Sequence, residues 1–212
     1  MAVRFASRYA SLMLLKRLVS SMNEVKNILF VGVGGQGTIL ASKLLSEGLM
    51  KQGYDVKMSE VHGMAQRGGS VTTQVRYGEK VYSPLIEKGK ADVIVAFEKS
   101  EAARWVPYLK KDGHLVVNDY EIHPITVLIG KEKYPENINE QLKASVENTI
   151  IVDAAGIAED LGNIKAQNVV LLGALIKALK LDNINWEKAI ESTVPSKAIE
   201  LNKRALAAGM EA

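Results

Sequence analysis

Two glycine-rich stretches hold the residue types best suited to chemistry. The first, Gly32-Val33-Gly34-Gly35-Gln36-Gly37, spells G-x-G-x-x-G and is followed by Thr38. Glycines let a backbone turn tightly and approach an anion. A helix opening at such a loop adds free N–H groups and the positive end of its dipole. The second, His62-Gly63-Met64-Ala65-Gln66-Arg67-Gly68-Gly69-Ser70, places an imidazole, an amide and a guanidinium within six residues, beside a glycine pair. Arg67 there has the fork geometry that grips a carboxylate or phosphate with two hydrogen bonds. The candidate binding residues are therefore Gly32, Gly34, Gly35, Gln36, Gly37 and Thr38 in the first stretch, with His62, Gln66, Arg67, Gly68, Gly69 and Ser70 in the second. Each stretch also has a plain structural reading. The first fits a tight strand-to-helix turn without a ligand, and the second a solvated surface loop.

The flanking elements decide how these stretches are presented. Residues 27–34 are an apolar, β-branched run, the pattern of a buried parallel strand. Residues 37–52 carry apolar positions at helical spacing, and Gly53 suits the stop. Residues 55–61 alternate as a second strand, so 27–61 reads as a βαβ unit. Residues 70–77 have strand composition, and 80–83 reads as a return strand after a Gly78-Glu79 turn, giving a hairpin near 70–83. Further strands are expected at 91–97, 114–118 (after an Asp112-Gly113 turn), 126–129 and 149–153. Helices are expected at 99–109 with Ser100 as cap, and at 154–161, 168–180, 186–191 and 196 to about 208. This order predicts an α/β, Rossmann-like three-layer sandwich with a mostly parallel sheet and a helical C-terminus. Both glycine-rich stretches follow strands on one sheet edge, where open α/β sheets bind ligands. Glu60 ends the second strand roughly where a dinucleotide-binding fold keeps its ribose-binding acid.

Composition narrows the function. The chain has 212 residues and no Cys. That removes a disulfide framework, Cys-ligated zinc, a cysteine nucleophile and an iron–sulfur cluster held by this chain. No run of about 18 apolar residues occurs, so no membrane-spanning helix is expected. The net charge of +3 comes from one end: residues 1–22 hold Arg4, Arg8, Lys16 and Arg17 and no acid, leaving 23 basic against 24 acidic residues in the body. A nucleic-acid footprint is therefore not expected. Residues 1–22 suit a targeting segment, an interfacial helix, or sequence upstream of a working start at Met22. The last is preferred, so 1–22 is expected to be an unpacked extension, and 23–212 a single domain. His114 and His123 sit in no metal-ligand spacing and read as structural or surface residues. Glu98 and Glu101 could form an acid/base pair but also suit the start of a helix. Trp105 and Trp186 read as packing or interface residues.

The two stretches in order resemble the gamma-type domain of the 2-oxoacid:ferredoxin oxidoreductases, in its indolepyruvate-type branch. Residues 91–98 with Glu101 and Arg104, 116–118 and 168–174 extend the resemblance, which covers about residues 27–200. It implies a cytoplasmic, non-cofactor subunit of an enzyme that oxidatively decarboxylates an aryl 2-oxoacid such as indolepyruvate to an acyl-CoA and passes two electrons to ferredoxin. Thiamine diphosphate and 4Fe-4S clusters would sit on a larger alpha subunit, with coenzyme A as co-substrate. The missing Cys agrees, as does the lack of a Gly-Asp-Gly followed by an Asn-Asn pair of the thiamine-binding kind. On that reading the chain alone is inactive. Two other readings stay open on the residues themselves: a free-standing NAD- or FAD-dependent oxidoreductase, and a nucleotide-sensing or assembly module.

Overall fold

The computed structural model describes residues 24–62 and 68–212. The extension 1–22, Gln66 and Arg67 lie outside the described residues, and of His62 only the backbone is described. Six strands form one sheet: β1 (Lys26–Val33), β2 (Asp55–His62), β3 (Ser70–Gly78), β4 (Ala91–Ala96), β5 (Leu109–Asn118) and β6 (Thr149–Val152), in the order β2-β3-β1-β4-β5-β6. β1, β4, β5 and β6 run parallel, whereas β3 is antiparallel to both β1 and β2. The C-terminal ends of β1, β2, β4, β5 and β6 thus share one edge, and β3 starts there.

Eight helices lie among the described residues: α1 (Thr38–Lys51), α2 (Lys99–Trp105), α3 (Ile125–Leu128), α4 (Ile138–Ser145), α5 (Ala154–Asp160), α6 (Gln167–Leu179), α7 (Trp186–Thr193) and α8 (Ile199–Glu211). Alternate residues of each central strand feed opposite cores. Ile28, Phe30, Val93 and Val95 pack with α1, α5, α6, α7 and α8 on one face. Leu29, Val31, Ile94 and Ala96 pack with α2 and α4 on the other. Both faces of β1 and β4 are covered, which is why these strands read as continuous apolar runs rather than as alternation. The larger core holds α6, largely apolar and buried from Asn168 to Ile176. There α6 and α8 cross in close contact: a Cβ on Gly209 would lie 1.9 Å from the Val170 carbonyl oxygen, and one on Gly173 would lie 2.3 Å from that of Leu206.

The three-layer α/β architecture matches the expectation, and several details differ. The antiparallel strand at residue 70 is present, but its hairpin partner is β2, reached back through the second glycine-rich stretch. Residues 80–83 form no strand. Arg76 draws this segment across the sheet by donating to the carbonyls of Ser83 (2.8 Å) and Leu85 (3.2 Å). β3 is therefore wedged between β1 and β2, and the expected βαβ unit is a split one. Residues 126–129 begin in the short helix α3 rather than a strand, with Ile125 and Leu128 exposed. Asp112-Gly113 lies inside β5 at a register shift instead of forming a turn. The helix at 99 tightens into a 3₁₀ turn at Val106–Tyr108, where Pro107 removes an N–H. Its cap is Glu98, not Ser100. α4 falls within a stretch that sequence periodicity left unassigned.

Candidate functional site

β1 and β4 are neighbours, yet the chain leaves them toward opposite faces: β1 turns into α1 over the larger core, and β4 into α2 over the smaller one. Their C-terminal ends therefore diverge, the geometry that opens a ligand crevice in a doubly wound sheet. Here that point is bridged by Gln36. Its side-chain carbonyl accepts from the Val33 N–H at 2.8 Å, and its amide donates to the Phe97 carbonyl at 2.8 Å. The amide acts as one more rung between the two strands. Gly32 makes room for it: a Cβ there would lie 2.8 Å from Gln36 Oε1 and 2.9 Å from Phe97 Cβ.

The two glycine-rich stretches meet, as their places on one edge require. The Gly34 N–H donates to the Gly69 carbonyl at 2.9 Å. Gly35 and Gly37 have φ of 105° and 84°, and Gly68 has 79°, all in the left-handed region that glycine enters cheaply. Gly37 precedes α1 without a side-chain cap, and no acid sits in the first turn. Thr38, 4% exposed, opens the helix. The N-terminus of α1 thus brings main-chain donors and the positive end of its dipole to this edge. Ser70 faces the other way. Its hydroxyl donates to Glu101 Oε2 at 2.5 Å, and Arg104 Nε lies 3.4 Å from the other oxygen of that carboxylate. The end of the second stretch is thereby tied to α2. Of the candidate residues, the structure brings together Gly32, Gly34, Gly35, Gln36, Gly37, Thr38, Gly68, Gly69 and Ser70. His62 contributes its backbone to the end of β2.

A buried acid stands beside this edge. Glu98 is fully buried and accepts from Glu101 N (2.8 Å), Ser100 Oγ (2.6 Å), Ile122 N (3.4 Å) and the Tyr134 hydroxyl. These bonds satisfy its oxygens, cap α2 and fasten the 119–137 segment. Burial, reinforced by the Glu98 carboxylate, pushes the Tyr134 phenol well above its usual value. Lys99 bridges Asp119 (2.7 Å) and Glu121 (3.0 Å); its hydrogen bonds hold both carboxyls below their ordinary range. A cleft of about 500 Å³, lined by Lys99, Glu121, Tyr134 and Asn137 among others, opens here. It is a polar pocket without a cluster of metal-ligand character. Among the described residues no group of three His, Cys, Asp or Glu is placed to hold a metal ion. No described helix is long and apolar enough to cross a membrane.

Three side chains that sequence reasoning did not assign to the site, Asn118, Gln167 and Asn168, complete the edge. Asn118, fully buried at the end of β5, donates to the Phe97 carbonyl (3.3 Å) and to Gln167 Oε1 (3.1 Å), and accepts from Ala154 N (3.2 Å). Asn168, 4% exposed, directs its amide at the Gly37 carbonyl (3.4 Å). The signal available in sequence was polarity out of place: Asn118 ends the apolar run Leu115-Val116-Val117, and Gln167-Asn168 opens an otherwise apolar helix.

The same geometry counts against a dinucleotide cofactor. Gln36 fills the crevice between β1 and β4. Glu60 lies on β2, two strands from β1 rather than next to it, so it stands about 5 Å further out than the ribose acid of a dinucleotide fold.

The chain matches the family described as pyruvate ferredoxin/flavodoxin oxidoreductase over residues 27–212. It is 41% identical over 193 residues to the indolepyruvate oxidoreductase subunit IorB of Pyrococcus horikoshii, covering 88% of this chain and 95% of that protein. It is 31% identical over 179 residues to the common gamma subunit of the pyruvate/ketoisovalerate oxidoreductases of Pyrococcus furiosus, covering 83% and 90%. Among solved structures it is similar to the gamma subunit of a keto/oxoacid ferredoxin oxidoreductase from Geobacter sulfurreducens, with a TM-score of 0.64 and 26% identity over 88% of this chain and 96% of that one. A single joined edge built from both glycine-rich stretches, on a mixed sheet of this order, is thus set in a chain that belongs to the pyruvate ferredoxin/flavodoxin oxidoreductase family.

Proposed function

We propose that this chain is the smaller subunit of a cytoplasmic oxidoreductase that converts aryl 2-oxoacids of the indolepyruvate kind, with coenzyme A, to aryl-acyl-CoA and carbon dioxide, passing two electrons to ferredoxin. The observation that carries this reading is the 41% identity to an indolepyruvate oxidoreductase subunit across nearly the whole of both chains. Residues 23–212 act as one unit. A larger partner subunit holds the thiamine diphosphate and the 4Fe-4S clusters. This chain's part is to supply the loop-bearing edge that closes the partner's active site. The main-chain donors of Gly35, Gly37 and Thr38 suit a phosphate of coenzyme A, and Arg67 suits a second anionic group.

The test is co-expression with a thiamine- and cluster-bearing larger subunit of this family from the same organism, followed by assay of the purified complex and of this chain alone. Indolepyruvate- and coenzyme A-dependent ferredoxin reduction by the complex, and none by the isolated chain, is the expected result. Activity of the isolated chain, or a complex that prefers pyruvate to indolepyruvate, would overturn it.

A further inference from the structure

The side-chain amides of the loop-bearing edge form a connected set. Gln36 joins Val33 N to Phe97 O, and Asn118 reaches the same Phe97 carbonyl from β5. Asn118 continues to Gln167 Oε1 and to Ala154 N, the first residue of α5. Gln167 and Asn168 are adjacent at the start of α6, and Asn168 turns to the Gly37 carbonyl. Four amides therefore fasten the ends of β1, β4 and β5 and the starts of α1, α5 and α6 to one another.

The arrangement is costly unless it does something. Asn118 and Asn168 are buried, and Asn168 Oδ1 finds no hydrogen-bond partner among the described residues. A buried unpaired acceptor costs free energy that an apolar side chain of the same shape would not. The position also constrains its neighbour. A Cβ on Gly37 would lie 2.4 Å from Asn168 Nδ2, so residue 37 is held to glycine by space as well as by its φ of 84°. The amide thus holds the left-handed residue that directly precedes α1.

We infer that Asn118, Gln167 and Asn168 are positioning residues: together with Gln36 they form an amide clasp that holds the first glycine-rich loop in the single conformation in which its N–H groups meet the anionic co-substrate. The inference rests on the reading that this loop borders the active site. Asn118 and Asn168 are buried, with their amides turned to the protein, and they act through the loop.

The test uses the assembled complex with Asn168→Ala. If the loop then keeps its held conformation about a tenth of the time, apparent affinity for the co-substrate falls by about the same factor. The expected result is a roughly tenfold rise in KM for coenzyme A with kcat and the KM for the 2-oxoacid little changed. Faster amide hydrogen exchange at residues 33–38 and 97–98, in a complex of unaltered stoichiometry, is expected alongside. Unchanged exchange would overturn the clasp. Faster exchange with unchanged kinetics would also overturn it as a positioning device, and Gly37→Ala then separates the causes. If Gly37→Ala raises the KM for coenzyme A, only the clasp fails; if it does not, the placement of the loop at the active site fails with it. Should Asn168→Ala prevent assembly, Gln167→Ala, which removes a single side-chain contact to Asn118, carries the same readouts and the same outcomes.

Discussion

At the scale of single residues, the candidate site is built from groups whose polar atoms are already engaged with the fold. Gln36 is spent on Val33 and Phe97, and Ser70 on Glu101. Between these two side chains the described loop offers the main chain of its glycines, and main chain depends on conformation. Gly37→Ala should therefore cost more than its size suggests. A left-handed alanine costs about 1–2 kcal/mol, and the added methyl must also displace the Asn168 amide. Urea denaturation should show a loss of about 2 kcal/mol or more; a change below about 0.5 kcal/mol would mean the loop relaxes freely. Arg67→Ala belongs to the opposite class. Its role is read from sequence, as a charged side chain in a glycine-flanked loop. Loss of a hydrogen bond to a charged group costs about 1.5–3 kcal/mol. In the assembled complex this corresponds to a roughly 10- to 100-fold drop in kcat/KM. Activity within twofold of the unmutated complex would show that Arg67 touches neither substrate nor co-substrate.

At the scale of elements, the close α6–α8 crossing and strand β5 give two further expectations. Gly209→Ala would set a methyl against the Val170 carbonyl, a main-chain atom that cannot swing aside. Overpacking of this kind costs about 1–3 kcal/mol or more, and thermal unfolding should register it. His114, on β5, is held below its ordinary value by partial burial, then by Lys110 and Lys180. A histidine whose folded pKa is depressed gives stability that is present above its unfolded value of about 6.5 and is lost as pH falls toward the folded value. Stability should therefore decline as pH falls below about 6.5. His114→Gln should flatten that slope, and superimposable pH profiles would sink the assignment. These elements also show what was legible in the sequence. The buried strands at 27–34 and 91–97 and the apolar helix at 168–180 could be read because burial writes a continuous apolar pattern. The pairing of β3 could not, since local alternation is the same whether the partner lies before or after it. Residues 126–129 read as a strand because three of the four are β-branched, while the exposure of Leu128 and Ile129 comes from outside the local pattern. The glycine-rich stretches were visible from their types. The amide set behind them was not, because Asn118, Gln167 and Asn168 come together only through the topology.

At the scale of the whole molecule, the sheet order decides which ligands the edge can take. A dinucleotide-binding fold keeps its crevice open between two diverging parallel strands and sets an acid on the strand next to the first. This sheet inserts antiparallel β3 at that neighbouring position and lays the Gln36 amide across the crevice itself. Opening the crevice would break two hydrogen bonds, at a cost of about 0.5–1.5 kcal/mol each. It would also leave the Phe97 carbonyl to Asn118 alone. The ribose would then find β3 where a dinucleotide fold offers its acid. The chain should accordingly bind NAD, NADP and FAD no more tightly than about 1 mM, the level at which only some 4 kcal/mol of binding free energy is recovered. Isothermal titration of the isolated chain with each cofactor measures this directly. A dissociation constant in the micromolar range would show that Gln36 moves aside at little cost, and the closed crevice would then be a resting arrangement of a nucleotide-binding protein.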